Sequence, residues 1–178
     1  MLKINKSIQV AASRSDAFTL FTKNIAQWWP PGVKSQPAPA AYIDPVVGGR
    51  WYEVAVDKSE CVWGNVLAWA PSHSLTLSWK IGADGQFDSD LHTEVEVLFR
   101  TSSSRTATVS LEHRHLEHYG DKAMAQRTEL GSSTGWIGIL EHFALHCAAV
   151  SSARRETANG RGAREREEQA TGRALGYR

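Results

Sequence analysis

The chain has few features of an exported, disulfide-bonded or membrane protein. Its 178 residues contain two cysteines, Cys61 and Cys147, which form no CxxC pair or other metal-ligand spacing. A disulfide scaffold is therefore excluded, and a reducing cytoplasm is the expected compartment. No run of about 18 apolar residues occurs, and the first 20 residues lack the apolar core of a signal peptide. We expect a soluble cytoplasmic protein without a membrane partner.

Motifs for common catalytic and cofactor chemistry are also scarce. Gly48-Gly49 precedes a predicted strand, which is the wrong context for a phosphate-binding loop, and no nucleophile elbow occurs. His142 and His146 have a metal-compatible spacing but lack the glutamate of the zinc-protease motif. A second histidine group has no cysteine or carboxylate pair to complete a ligand set: His113, His115 and His118. We expect neither a metal nor a cofactor.

Charge is nearly balanced but unevenly distributed. Residues 151–178 hold seven Arg and four acids, a net +3, whereas residues 1–150 hold 13 basic and 15 acidic groups, a net −2. A mildly acidic body argues against nucleic acid as the partner. We predict one domain over residues 1–150 and an Arg-rich tail over residues 151–178. The tail has too few large apolar side chains to fold alone, so it is predicted to be flexible or weakly helical, with an RNA or acidic-partner contact as the alternative.

Tryptophan, by contrast, is abundant, with seven in the chain. A core of this size does not need so many indoles, which suggests that some line a cavity. Period-2 apolar patterning predicts a first strand, followed by two short helices, a Pro- and Ala-rich loop or irregular edge strand, and five antiparallel strands. The predicted later strands cover residues 51–56, 61–70, 74–81, 93–100 and 105–115. An irregular connection over residues 118–126 then leads to a helix from about Gly135 to Val150 with a one-sided apolar stripe.

This order resembles the α+β helix-grip superfamily of START and birch-pollen-allergen-like domains. More narrowly, it is similar to the family named for the C-terminal domain of the activator of heat shock protein 90 ATPase. The resemblance covers about residues 3–150. The motifs that carry it are Trp28-Trp29-Pro30, Gly48-Gly49-Arg50-Trp51, Trp63-Gly64-Asn65-Val66, residues 75–79, 93–97 and 107–113, and Gly135-Trp136 with Leu140 and Phe143.

The resemblance implies a sheet bent around a long C-terminal helix, with an apolar cavity that binds small hydrophobic ligands or, less often, catalyses a reaction. Strand alternation then predicts which side chains face that cavity, including Trp79 with Leu77 and His113 with Leu111. We predict binding of a small hydrophobic, aromatic or polyketide-like ligand. The predicted ligand-binding residues are Trp28, Trp29, Trp51, Trp63, Leu77, Trp79, Val97, Leu111, Trp136, Leu140 and Phe143.

An enzyme of the polyketide cyclase or aromatase type is the alternative. If Glu53 faces His113 inside an apolar pocket, its pKa is raised and it can exchange a proton with a bound ligand. Glu53 would act as general base or acid, and His113 as its partner or as a hydrogen-bond donor to an oxyanion. In the competing interpretation, Glu53 lies on the outer face and His113 donates to a backbone carbonyl.

Two further expectations concern interactions. Adjacent Trp28 and Trp29 cannot both face the core, so one is predicted at the cavity mouth, where it would gate ligand entry. A third functional hypothesis is that the protein is a chaperone-related interaction module. Helix-grip domains commonly pair through sheet surfaces, so a homodimer is one of the expected states.

Overall fold

The computed structural model describes residues 1–30 and 40–175, including side chains except those of residue 160 and residues 162–175. The strands in these ranges are β1 (Ile4–Val10), β2 (Ala40–Ile43), β3 (Arg50–Val54), β4 (Glu60–Ala70), β5 (Ser74–Trp79), β6 (Thr93–Thr101) and β7 (Ala107–Arg114). The helices are α1 (Arg14–Lys23), α2 (Ile25–Trp28), a 3-10 helix (Leu116–Lys122), α3 (Ala123–Leu130) and α4 (Trp136–Leu175).

All seven strands form one antiparallel sheet in the order β1-β7-β6-β5-β4-β3-β2. The sheet curls around the first half of α4, which buries Trp136, Leu140, Phe143 and Cys147 against it. Alternate residues of β6 and β7 are buried and form the floor of the core. The predicted α+β helix-grip fold is confirmed.

Helix α1 begins after Ser13, whose side chain caps it. The Ser13 hydroxyl oxygen accepts a hydrogen bond from the Asp16 backbone N–H at 3.2 Å and donates to the Asp16 carboxylate at 2.9 Å. The apolar face of α1 then packs Phe18 and Phe21 edge-on against Phe99 of β6, with ring centroids 5.3 and 5.6 Å apart. This contact fixes α1 over one end of the sheet.

Strand β4 contains two bulges that change its side-chain alternation. Gly64, not Trp63, pairs with Trp51, and Val66 and Ala68 pair with consecutive residues of β5, so Trp63 and Leu67 are the additional residues. Period-2 alternation of the sequence predicts one shared face for Cys61, Trp63, Asn65, Leu67 and Trp69. That prediction is wrong in the middle of the strand, because Val66 is buried and Leu67 is 43% exposed.

The segments on either side of the later helices also differ from prediction. The connection predicted to be irregular over residues 118–126 is the 3-10 helix followed by α3, whose sequence is rich in good helix formers. Helix α4 does not end at Val150 but continues to Leu175. The predicted loop or edge strand over residues 36–42 is described only from Ala40 onward, where β2 forms the sheet edge; the remainder lies outside the described residues.

Candidate functional site

Six of the seven indoles form one cluster, which we call the tryptophan cluster: Trp28, Trp29, Trp51, Trp63, Trp79 and Trp136. Its rings come from α2, the residue after it, β3, β4, β5 and the first turn of α4. Adjacent ring centroids are 5.1 to 6.4 Å apart, and most pairs meet edge to face or tilted. The cluster therefore joins the concave face of the sheet to two helices.

Three indole N–H groups of the cluster have backbone or hydroxyl acceptors. Trp28 donates to the Leu20 carbonyl at 3.0 Å, and Trp51 donates to the Ser78 carbonyl at 2.8 Å. Trp79 donates to the Tyr119 hydroxyl at 3.1 Å, and that hydroxyl donates to the Ile81 carbonyl at 2.8 Å. Burial raises the pKa of Tyr119 to about 12, so the hydroxyl keeps its proton.

His113 lies at one end of the tryptophan cluster and is fully buried. Its Nδ1 accepts the Trp136 indole N–H at 3.0 Å, and its Nε2 is 2.9 Å from Thr93 Oγ1. Because the Thr93 hydroxyl donates to the Trp79 carbonyl at 2.8 Å, it accepts from His113. The network thus assigns the neutral Nε2–H tautomer. Burial also lowers the pKa of His113 to about 3.

Glu53 lies at a different part of the concave face. It shares the face of the buried Trp51 and pairs across the sheet with Ala41 and Cys61. Burial raises the pKa of the Glu53 carboxyl above its usual value. The pKa of the Cys61 thiol is also raised, first by burial and then by the negative charge of Glu53. Glu53 is half-buried, so the concave face carries one carboxylate with partial access to solvent.

Glu53 and His113 are not adjacent in the sheet. Strands β4, β5 and β6 separate β3 from β7, which corresponds to roughly 19 Å along the curled sheet at about 4.8 Å per strand. Both ring nitrogens of His113 are already paired, with Trp136 and Thr93. His113 also does not donate to a backbone carbonyl, contrary to the competing interpretation. Glu53 and His113 therefore do not form the proton-exchanging pair that the enzyme hypothesis requires.

The two adjacent tryptophans differ in exposure. Trp28 is buried against Phe143 and Phe21, with centroids 4.8 and 4.9 Å away. Trp29 is half-buried, yet its ring lies 5.1 Å from Trp63 and 6.1 Å from Trp51. It is therefore the ring at which α2 meets the rest of the tryptophan cluster. The predicted aliphatic lining residues are all buried in the surrounding core: Leu77, Val97, Leu111 and Leu140.

Two residues of this site were missed at the sequence level. Thr93 is buried because it alternates with Val95 and Val97 on the inner face of β6, so period-2 patterning could have found it. Tyr119 lies in the 3-10 helix, where the sequence predicts an irregular connection. Nothing in the local sequence pattern indicates that its hydroxyl contacts Trp79.

Metal-binding clusters and membrane-spanning helices are both absent from the described ranges. No group of three or more potential ligand side chains there could hold a metal ion. His115 and His118 stack at 5.7 Å, whereas His113 lies in the core, so the three histidines do not converge. Within residues 1–30 and 40–175, no helix combines the length and apolar character needed to cross a bilayer.

Comparisons with known proteins identify the fold's relatives. A sequence model of the family described as "Activator of Hsp90 ATPase homolog 1-like protein" matches residues 11–146. A solved structure described as an anthrahydroquino-gamma-pyrone synthase, Txn09, is 37% identical, covers 81% of this chain and 96% of its own, and superposes with a TM-score of 0.58. A search of the curated proteins found no match.

Two more solved structures share the fold. CalC, a self-sacrificing resistance protein from Micromonospora echinospora, is 26% identical over 82% of this chain and 93% of its own, with a TM-score of 0.59. The Aha1 dimer from Colwellia psychrerythraea is 16% identical over 83% of this chain and 96% of its own, with a TM-score of 0.57, and shows the fold alone. With its family match spanning most of the folded body, the chain belongs to the Activator of Hsp90 ATPase homolog 1-like protein family.

Proposed function

We propose that this protein binds a planar aromatic, polyketide-like ligand at the tryptophan cluster. The observation that carries the proposal is the convergence of six indoles on the concave face, with Trp29 only half-buried. Aromatic faces and edges favour planar π-systems, and an apolar site with a few polar groups is typical of small-ligand pockets. The 37% identical relative supports this class of ligand, because its description names a fused aromatic product.

Trp29 occupies the position in which such a ligand would lie. Its ring is tilted by 32° over Trp63 at 5.1 Å and meets Trp51 and Trp136 edge-on at 6.1 and 6.4 Å. A planar ligand that replaced this indole would keep one stacked and two edge contacts. Trp29 is thus both a stand-in for the ligand and the ring that must move to admit it, which retains the gating role predicted from the sequence.

The polar groups at the site favour a ligand with oxygen substituents. Among the described residues, the indole N–H groups of Trp29 and Trp63 have no hydrogen-bond acceptor, whereas the other four cluster indoles do. A carbonyl or phenol oxygen on the ligand would pair with the Trp63 N–H once Trp29 has moved. Polyketide-like aromatics carry such oxygens around their rings.

A titration with 1,8-dihydroxyanthraquinone, a neutral planar compound, tests the binding proposal. Trp29→Ala removes the competing ring and is expected to tighten binding about tenfold, or about 1.4 kcal/mol. Trp63→Leu removes the stacking partner and is expected to abolish saturable quenching of tryptophan emission. Trp69→Ala is the matched control, since Trp69 packs on Phe18 at 5.2 Å outside the cluster. Equal affinities in all three variants would contradict the proposal and favour an interaction module.

The half-buried Glu53 supports a second candidate, a cyclase-like enzyme. A carboxylate with a raised pKa on an apolar face can accept a proton from the acidic carbon of a bound polyketone and return it during dehydration. The synthase description of the 37% identical relative favours this chemistry. His113, already paired through both nitrogens, would position Trp136 and the Trp79 backbone instead of exchanging protons.

Deuterium exchange tests the enzyme candidate without a known substrate. The CH₂ protons of 1-phenyl-1,3-butanedione exchange by enolisation, and the protein is expected to accelerate this exchange in heavy water. The rate should rise with pH through a value above the ordinary glutamate pKa, because the active form is the carboxylate. Glu53→Gln should remove the acceleration while Glu60→Gln, on the exposed start of β4, retains it. An unchanged rate in Glu53→Gln would exclude Glu53 as the base.

A further inference from the structure

A concavity separate from the tryptophan cluster lies between α1, the β6–β7 turn and α4, one helical turn beyond Phe143. It is an open groove of about 230 Å³. Its floor is apolar, with Leu20 and Cys147 buried and Val150 half-buried. Hydroxyls border it at Ser13, Ser104 and Ser151. The groove contains no residue of the tryptophan cluster, so it is a separate site.

Three guanidinium groups stand around this groove. Arg105 comes from the β6–β7 turn, and Arg154 and Arg155 come from α4. Arg154 pairs with Asp16 at 3.2 Å, and Arg155 donates to the Ser152 hydroxyl at 3.3 Å. Within the described residues, Arg105 and Arg155 have no carboxylate within ion-pair distance. With Asp16 the lining carries a net charge of +2, and no other carboxylate in the described part of the chain pairs with these three arginines.

The floor below these arginines is neutral. Burial raises the pKa of the Cys147 thiol to about 12, with a further increase from Asp16, so the sulfur remains protonated at ordinary pH. Cys147 then behaves as a small apolar side chain. The groove thus combines a neutral, apolar surface with a cationic rim.

The β6–β7 turn that carries Arg105 is held by hydrogen bonds of its own in the absence of a ligand. Ser102 and Thr108 hydroxyls are hydrogen-bonded at 2.8 Å, as are those of Ser103 and Thr106. The Arg105 backbone N–H donates to the Ser103 hydroxyl at 3.2 Å. A pre-set turn lowers the ordering cost of recruiting its side chain to a ligand.

We infer that this groove binds a small organic anion with an apolar body, such as an alkyl or aryl carboxylate. The carboxylate would accept charge-assisted hydrogen bonds from Arg105 and Arg155, and the body would lie on the floor formed by Leu20, Cys147 and Val150. The volume is slightly below the roughly 300–1,000 Å³ of drug-sized pockets, which suits a compact ligand.

Amide chemical shifts of the ¹⁵N-labelled full-length chain test this assignment with hexanoate as the probe. Saturable shifts are expected at the Ser13, Ser104 and Ser151 amides, with no comparable effect of neutral hexanamide. Because exposed ion pairs are screened by salt, the hexanoate affinity should fall as ionic strength rises. Trp29→Ala should leave hexanoate binding unchanged, which separates this site from the tryptophan cluster.

Three substitutions sharpen the test. Arg105→Gln and Arg155→Gln are each expected to weaken hexanoate about tenfold through loss of a charge-assisted hydrogen bond. Asp16→Asn releases Arg154 and should tighten binding about twofold to fivefold. Arg100→Gln is the matched control, because Arg100 is exposed on the outer face of the sheet and its replacement changes the net charge equally.

The assignment is overturned if hexanoate produces no saturable shift at these amides in the unmodified protein. It is also overturned if hexanamide binds equally well, or if Arg105→Gln and Arg155→Gln behave like Arg100→Gln. Both arginines are exposed, so their substitution is expected to leave the fold intact, and the unperturbed amide spectrum of each variant verifies this directly.

Discussion

His113 shows how a titratable residue can be fixed in one state by its neighbours. Its two nitrogens have different partners, an indole donor at Nδ1 and a hydroxyl acceptor at Nε2, and a proton on Nδ1 would oppose the Trp136 N–H. Burial among aromatic rings further disfavours the cation. The residue therefore orients Trp136 and, through Thr93, the backbone of Trp79.

The first prediction concerns the pH dependence of stability. The folded-state pKa of His113, about 3, lies below the ordinary value of 6.5, so the unfolded chain binds a proton that the folded chain does not. The stability that the neutral His113 side chain contributes is fully present above pH 6.5 and is lost as the pH falls toward 3. Over that range the free energy of unfolding decreases by at most about 1.4 kcal/mol per pH unit.

Urea unfolding between pH 7 and 5 measures this effect. His113→Gln preserves one donor and one acceptor but cannot titrate, so it should lower stability at pH 7 and flatten the decline. Replacement of the exposed His142 by Gln is the control and should keep the decline. Identical pH slopes in the native protein and His113→Gln would contradict a neutral buried imidazole.

The second prediction concerns Gly64, which brings β4 close to β5. A Cβ atom there would lie 2.0 Å from the Ser78 carbonyl oxygen and 2.7 Å from its Oγ. Gly64→Ala is expected to lower the free energy of unfolding by about 3 kcal/mol or more, because backbone atoms must separate. Gly85→Ala meets open space but has a φ of +77°, so its cost should be about 1 kcal/mol. Equal costs in denaturant titrations would argue against the steric cause.

Side-chain alternation predicts the buried face correctly only where a strand is regular. Alternation correctly placed Leu77, Leu111 and His113 on the inner face, because β5 and β7 have no bulge within these segments. It failed across Asn65 to Leu67, where bulges displace the register without a local sequence signal. The hydrogen bond between Trp79 and Tyr119 joins positions 40 residues apart, which no local pattern encodes.

At the scale of elements, α4 serves two regions of the molecule. Its first turns bury aromatic side chains under the sheet, and Arg154 near its middle pairs with Asp16 of α1. The 40-residue helix spans about 60 Å. Sequence patterning missed its length because the apolar stripe ends near Val150 and no large apolar residue follows until Leu175.

The third prediction tests the division into a domain and a tail. Truncation after Asn159 is expected to leave the unfolding temperature almost unchanged, because the deleted residues contain only two large apolar side chains, Leu175 and Tyr177, and the helix residues before the cut, 152–159, are already exposed. Truncation after Val150 removes Arg154 and Arg155 and should abolish hexanoate binding in the groove. Circular dichroism measures the unfolding temperature, and titration calorimetry measures hexanoate binding. A large loss of stability in the variant truncated after Asn159 would contradict the proposed boundary at residue 150.

At the scale of the whole molecule, the outer sheet face carries a dense set of paired charges. Lys3 contacts Glu112 at 2.7 Å, and Arg114 pairs with Glu94 at 2.7 Å and with Glu96 at 3.6 Å. Such a face is suited to reversible pairing and not to a dry, obligate interface. Pairing through this face, expected from the sequence, stays a prediction.

The fourth prediction follows from that face. Light scattering coupled to size exclusion is expected to give a mass of twice the chain's 19.6 kDa at low salt. Arg114→Glu places four acidic groups together on the outer face and should shift the protein to a monomer. Lys58→Glu, in the β3–β4 turn, makes the same charge change elsewhere and should leave the dimer intact. A single-chain mass for the native protein at the highest attainable concentration would contradict pairing.

The spacing of the tryptophan cluster also determines how the protein responds to light. With neighbouring indole centroids 5.1 to 6.4 Å apart, excitation absorbed by one ring can migrate among all six before it is emitted. Emission should therefore be strongly depolarised even in a rigid molecule. A ligand that quenches only Trp63 would therefore also reduce the emission of the other five cluster indoles, because their excitation reaches Trp63. The emission that remains would come mainly from Trp69, so one bound ligand would quench the whole cluster.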